Sequence, residues 1–284
     1  MKMSPVQYST TITNSNIINL PLETILDAVI DAGFEAIDIP GEPETYPIKD
    51  IKPILESHSN QVSIGELTAC INPGRDLVNQ DEKKRRSAIN YIMYCIDAAA
   101  ELGVNLTHFC FITNEKNLNN TRRERLEDRA IDAIKQCAVH AENSGIILLI
   151  EPLFKNDVSL INRAEQAVSL YARALNMDID TFVNDQKQYG LLLDIFHMHH
   201  EELSIDKILE DYIKITYHVH VADHPRGLDF KRSDSVFVKN AIARLKQLDY
   251  QHYISFESFD PSVNIETLKG ALEVIRAFEN ARVS

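Results

Sequence analysis

Side chains able to hold a cation or move a proton stand at the ends of four apolar runs in this sequence. IILLIE closes on Glu151, YGLLLD on Asp194 and YISFE on Glu257, while YHVHVAD carries His220 and Asp223. From Glu151 through Asp194 and His220 to Glu257 the separations are 43, 26 and 37 residues, the spacing of successive strand-plus-helix units. Two glutamates, an aspartate and one imidazole form an oxygen-rich donor set that suits Mn²⁺ or Mg²⁺ and admits Co²⁺ through its nitrogen. The set has no thiolate, unlike a structural zinc site. Three carboxylates brought together without a cation would repel one another, and a bound divalent ion removes that repulsion. The alternative is that each residue ends its strand in a separate salt bridge.

The elements that must position these residues alternate along the chain. Short apolar runs at Val6–Ile12, Ala36–Ile39, Val62–Leu67, Leu106–Ile112, Ile146–Glu151, Leu191–Ile195, Thr216–Val221 and Tyr253–Phe256 are separated by helical patterns. Eight such repeats in 284 residues predict a (β/α)₈ TIM barrel, whose typical length is roughly 250 residues. Strands as apolar as IILLI and LLLDI suit a barrel covered on both faces. Ala88, Ile92, Cys95, Ala99 and Leu102 line one face of a helix ended by Gly103, and Leu126, Ala130, Ala133, Cys137 and Ala141 line another ended by Gly145. No linker divides the chain, so one barrel domain is expected over residues 1–284, with the polar stretch Asn176–Gln188 as an insertion before the sixth strand. A parallel barrel carries its chemistry at the C-terminal ends of its strands, where all four residues fall.

Composition limits the partners. The 29 Lys and Arg against 42 Asp and Glu give a net charge of −13, which opposes binding to a phosphate backbone. The one dense basic run, Lys83–Arg86, opens a helix and reads as solvated surface. No apolar run approaches the roughly 20 residues that cross a bilayer, and no targeting segment stands at the N-terminus, so a cytoplasmic protein without membrane contact is expected. Cys70, Cys95, Cys110 and Cys137 have no metal-binding spacing and read as buried thiols.

IEPLF around Glu151, LLLDIFHMHHEE around Asp194, HVHVADHPRG around His220 and ISFESF around Glu257 resemble the xylose-isomerase-like barrels of the sugar isomerase and epimerase superfamily. Within it they are most similar to the ketose 3-epimerases. The first half adds only the GFEAID run, ACINPGRDL and the strand–helix rhythm. The resemblance implies that Glu151, Asp194, His220 and Glu257 are metal ligands, with Mn²⁺ the expected ion, and that Glu151 and Glu257 exchange protons with a sugar. It further implies that His197 and Arg226 hold substrate oxygens. Among His197, His199 and His200 the residues alone do not choose, and only the motif selects His197. A further glutamate of the family is replaced here by Asp157. A homodimer or homotetramer is expected by resemblance alone.

The chemistry has its own physical basis. Removing a proton beside a ketone builds negative charge on oxygen, which a divalent cation stabilises. Carboxylates on opposite faces of the sugar invert the carbon, whereas one face used twice gives aldose–ketose isomerisation. A sugar-phosphate or hydroxypyruvate isomerase and an inosose dehydratase share this logic. A DNA repair endonuclease of the same barrel type needs extra histidines on earlier strands, and neither IDIPGE nor GELTAC supplies one. A non-catalytic sugar-binding barrel would need no carboxylate pair. The chain departs from the epimerases in having Gly227 alone after Arg226 and no tryptophan. Tyr8, Phe109 or Phe111 are candidates for the missing aromatic wall, although core packing is the expected role of each phenylalanine, and buried packing that of Cys70 near the third strand.

Overall fold

The computed structural model describes residues 6–12, 15–113, 115, 119–155, 160–185 and 187–281. Eight parallel strands close a barrel in sequence order, β1 (Gln7–Thr11), β2 (Ala36–Pro40), β3 (Ser63–Thr68), β4 (Leu106–Phe109), β5 (Ile147–Ile150), β6 (Tyr189–Asp194), β7 (Thr216–Val221) and β8 (Tyr253–Phe256). The ring closes where Tyr8 pairs Ile254 and Thr10 pairs Phe256. The helices between them are α1 (Ser15–Ile18), α2 (Leu22–Ala32), α3 (Ile48–His58), α4 (Glu82–Leu102), α5 (Asn120–Ser144), α6 (Ala164–Leu175), α7 (Ile179–Asp185), α8 (Ile195–Glu201), α9 (Ile205–Tyr212), α10 (Val236–Gln247) and α11 (Ile265–Ala281).

Period-two alternation sorts each strand into two faces. Leu148, Ile150, Leu191 and Leu193 join the large core shared with the helices, while Leu106, Leu149 and Leu192 form a small apolar cluster of their own. Two residues beyond each of these three, on the same face, stand His108, Glu151 and Asp194. The barrel interior therefore changes from apolar to polar toward the C-terminal ends of its strands.

Local chemistry sets the helix ends. Asp81 accepts from the backbone of Lys83 at 2.9 Å and Lys84 at 3.2 Å to start α4, and Asn119 accepts from Arg122 at 2.9 Å to start α5. Gly103 and Gly145 end these helices at φ of 72° and 70°, a left-handed conformation that a glycine adopts without steric cost. Lys83, Lys84 and Arg86 are exposed, in keeping with a solvated surface.

In the run Leu106–Ile112 the ladder to β5 ends at Phe109, opposite Ile150 where β5 itself ends, and Ile112 pairs again only in an isolated bridge. The polar stretch before β6 contains α7, whose Phe182 is fully buried and stacked on Tyr171 at 5.4 Å, with Val183 packed against the same core. Among the described residues, no helix is long and apolar enough to cross a membrane.

Candidate metal centre

Glu151, Asp194, His220 and Glu257 meet at the polar end of the barrel. Each offers one donor atom, and the four lie within 4.8 Å of one another, all on buried residues. Glu151 and Glu257 each follow the last residue of a strand, and their backbone N–H groups donate to Phe109 and Val221 at 3.0 and 3.2 Å, so the neighbouring strand holds each one. Asp194 ends β6 and caps α8, its Oδ1 accepting from the Phe196 N–H at 2.7 Å, which leaves Oδ2 for the site. His220, on β7, turns Nδ1 toward Glu257 Oε2 at 3.5 Å and Nε2 toward Glu66 Oε1 at 3.4 Å.

The donors fit a divalent cation. Glu151 Oε1 and His220 Nδ1 are buried without a well-directed hydrogen bond, the condition of groups arranged around an ion, while His220 Nε2 faces Glu66. Burial pushes the Glu151 carboxyl up to about 8, with His108 opposing the rise and Glu257 adding to it. Burial also pushes Glu257 up, but His220 and Arg226 outweigh it and hold this carboxyl below the usual range. Burial disfavours an imidazolium at His220, yet Glu257 and Glu66 hold its pKa well above the usual value. Three carboxylates, an imidazole and this electrostatic tension match the chemistry of a hard or borderline cation.

Arg226 and His197 stand over the four donors. Arg226 Nη2 donates to Asp194 Oδ2 at 3.0 Å and to Glu257 Oε2, while Nη1 lies 2.8 Å from His197 Nε2. The Phe154 N–H approaches His197 Nδ1 at 3.0 Å, and Nε2 also lies 3.5 Å from Asp194 Oδ2, so the ring is fixed between the β5 loop and the donors. The Arg226 backbone has a φ of 87°, rare for a residue with a side chain, and its carbonyl accepts from Ser258 at 2.8 Å. Asp157 lies outside the described residues.

A second polar layer lies beneath the four donors, and sequence reasoning missed it as a unit. Glu66 on β3 accepts from Thr68 at 3.1 Å and contacts His108 Nδ1 at 3.0 Å, and His108 Nε2 faces Glu151 Oε2 at 3.5 Å. Asp38 on β2 meets His218 Nε2 at 3.0 Å and accepts from Thr11 at 3.1 Å. Asp38, Glu66, His218 and His220 form a second group of neighbouring donors. Each interrupts an apolar strand, and His218 stands two residues before His220, the period-two signal that could have revealed them. The histidine of the earlier strands is His108, on β4 rather than on the second or third.

A cavity of about 580 Å³ opens on the centre. His108, Glu151, His197, Arg226 and Glu257 line one part, and Ile12, Ile71, Ile112, Leu153 and Phe259 another. Tyr8, Phe109 and Phe111 are buried in the core instead. The aromatic at the pocket is Phe259, after β8, over which the Arg226 guanidinium lies at 4.6 Å. Cys70 also lines the cavity and is half-buried rather than enclosed; burial pushes its thiol up to about 12. Cys95, Cys110 and Cys137 are buried.

A family model for the xylose isomerase-like TIM barrel matches residues 26–280. The chain belongs to this family. It is 27% identical over 232 residues to a probable ketose 3-epimerase of Synechocystis sp., covering 80% of this chain and 75% of that protein. To a ketose 3-epimerase of Arthrobacter globiformis it is 23% identical over 250 residues, covering 87% and 80%. Among solved structures, a D-psicose 3-epimerase with D-tagatose from Clostridium cellulolyticum superposes with a TM-score of 0.76 at 17% identity, covering 97% of this chain and 99% of that one. For this barrel, then, family, fold and a buried donor set of metal-site type agree.

Proposed function

We propose that this protein is a divalent-metal-dependent carbohydrate epimerase that inverts C3 of a free ketose, with Mn²⁺ held by Glu151, Asp194, His220 and Glu257. The observation that carries this reading is the pair Glu151 and Glu257, just beyond the ends of β5 and β8, converging on the pocket with Asp194 and His220 between them. The ion would supply positive charge to the ketone and hydroxyl oxygens as they become negative. Arg226 and His197, in contact with each other at the pocket, orient one of those oxygens. One glutamate takes the proton from C3 on its side, giving an enediolate, and the other returns a proton from the opposite side. The reaction is reversible, so each glutamate serves as base in one direction and as acid in the other.

The pocket separates this reading from its rivals. Its volume of about 580 Å³ is large for a three-carbon hydroxypyruvate. Arg226 is the one Lys or Arg among its described lining residues, and its guanidinium is already engaged by Asp194 and Glu257, which favours an uncharged sugar over a phosphate ester.

The test is a panel of free ketohexoses in D₂O with Mn²⁺. The expected product is the C3 epimer carrying one deuterium at C3. Aldose formation, water loss, or no reaction with any ketose would overturn the assignment.

A further inference from the structure

The layer beneath the donors carries an inference about how they are held. His220 has two nitrogens and two carboxylates: Nδ1 faces Glu257 and the other donors, and Nε2 faces Glu66. His108 likewise spans two carboxylates, Glu66 on Nδ1 and Glu151 on Nε2. Glu66 therefore touches, directly or through one imidazole, two of the four residues proposed as ligands. Its carboxylate is fully buried on β3, and Thr68 fixes it from the same strand. A fully buried glutamate is destabilising unless its oxygens are matched, and every contact matching this one leads toward the centre except the Thr68 hydroxyl.

Glu66 belongs to a layer that is itself held in place. Asp38, the next buried carboxylate, occupies space that only a glycine leaves free, because a Cβ on Gly65 would come within 2.2 Å of its Oδ1. Asp38 in turn fixes His218, whose ring meets His220 edge-on at 5.2 Å between centroids. The His108 and His220 rings also meet edge-on, at 5.8 Å. His220 thus has aromatic edges on two sides and a carboxylate at each nitrogen, so its ring has little freedom to rotate.

We propose that Glu66 and His108 are positioning residues for the cation: Glu66 accepts the Nε2–H of His220, keeping Nδ1 free to coordinate, and His108 transmits the same anchor to Glu151. An outer carboxylate of this kind fixes the tautomer of a ligating histidine, and its loss typically weakens metal binding about 10- to 100-fold. The inference rests on the reading that Glu151, Asp194, His220 and Glu257 hold a divalent ion. A second ion in the group of Asp38, Glu66, His218 and His220 is the lesser reading, because Glu66 and Asp38 already have histidine and hydroxyl partners at 3.0–3.1 Å.

The test titrates native protein, Glu66→Gln and His108→Gln with Mn²⁺, following free Mn²⁺ by its electron paramagnetic resonance. Native protein is expected to bind one Mn²⁺. Glu66→Gln is expected to raise Kd about 10- to 100-fold, and His108→Gln about tenfold, with circular dichroism unchanged. Co²⁺-loaded protein gives a second measurement. The shifted, exchangeable imidazole N–H of the ligating histidine should persist in native protein and exchange rapidly in Glu66→Gln while the backbone amides of β3 and β7 keep their protection, which separates the lost hydrogen bond from a general loosening of the core. If Glu66→Gln fails to fold, His108→Gln and Thr68→Val, which removes one hydroxyl from Glu66, carry the same test in the same direction.

Unchanged Kd and an unchanged N–H signal in the folded variants would overturn the positioning role while leaving the ion in place. Failure of native protein to bind Mn²⁺ would remove the cation reading and the positioning role with it. Binding of two Mn²⁺ by native protein, with one lost in Glu66→Gln, would overturn positioning in favour of a second ion.

Discussion

Cation binding should depend steeply on pH, and the structure sets both sign and size. A carboxyl titrating at about 8, as burial makes Glu151 do, must lose its proton before it coordinates. It is ionised in roughly one molecule in eleven at pH 7 and one in a hundred at pH 6, so Glu151 alone strengthens apparent Mn²⁺ affinity about ninefold from pH 6 to 7 and about fiftyfold from pH 6 to 8. His220, whose pKa is held well above its usual value, must also release a proton and steepens the rise. Calorimetry at pH 7 in buffers of different ionisation enthalpy should therefore find between about one and two protons released per Mn²⁺. The same shift has a stability consequence. The folded pKa of Glu151 lies above its unfolded value of about 4.5, so the cation-free fold binds the proton more tightly than the unfolded chain does and loses stability as pH rises from about 4.5 toward 8. Saturating Mn²⁺ should accordingly raise Tm more at pH 8 than at pH 6. An affinity flat across pH 6–8, with no proton release, would refute the reasoning from burial.

Three further outcomes follow from the same geometry. Glu257→Gln should lower ketose conversion by roughly 10²- to 10⁴-fold with the fold intact by circular dichroism, and substantial residual turnover would sink the proton-transfer role of this residue. Arg226→Lys keeps a positive charge but loses the fork that reaches Asp194, Glu257 and His197 together; kcat/KM should fall about 10- to 100-fold, the loss of one charged hydrogen bond at about 1.5–3 kcal/mol, and an unchanged value would place substrate recognition elsewhere. Phe182→Ala should cost about 3–5 kcal/mol by emptying its site against Tyr171, and a denaturation midpoint close to native would show that α7 is not anchored there.

The barrel was legible because its signals are local and repeated. Eight apolar runs, two helices with Gly103 and Gly145 at their ends, and charged residues at strand ends all follow from period and termination. The polar composition of Asn176–Gln188 hid the buried Phe182, whereas the core packing expected of Phe109 and Phe111 holds, and Tyr8 is buried as well. The aromatic beside the pocket, Phe259, follows Glu257 by two residues, but nothing in its neighbours distinguishes it from a surface side chain. Asp38, Glu66, His108 and His218 were harder still. Each sits within a strand rather than at its end, and apart from Thr68 beside Glu66 the partners cited lie 27 to 180 residues away in sequence.

That hidden layer bears on how so much acid is tolerated inside a barrel. Among the described residues Asp38, Glu66, Glu151, Asp194 and Glu257 all face the interior, and five buried carboxylates without counter-charges would not fold. Asp38 and Glu66, the two farther from the pocket, each have a histidine within 3.0 Å, in His218 and His108. The three at the pocket meet Arg226, His108 at 3.5 Å from Glu151 and, on the proposed reading, a divalent ion, with His220 neutral as a ligand. Arg226 and the ion together carry three positive charges against these three carboxylates. Arg226 on this account does more than hold a sugar oxygen: it completes the neutralisation that a doubly charged ion leaves unfinished. A fixed cation is needed there because a substrate hydroxyl cannot supply the charge, and the guanidinium, always protonated, supplies it at every pH at which the ion binds.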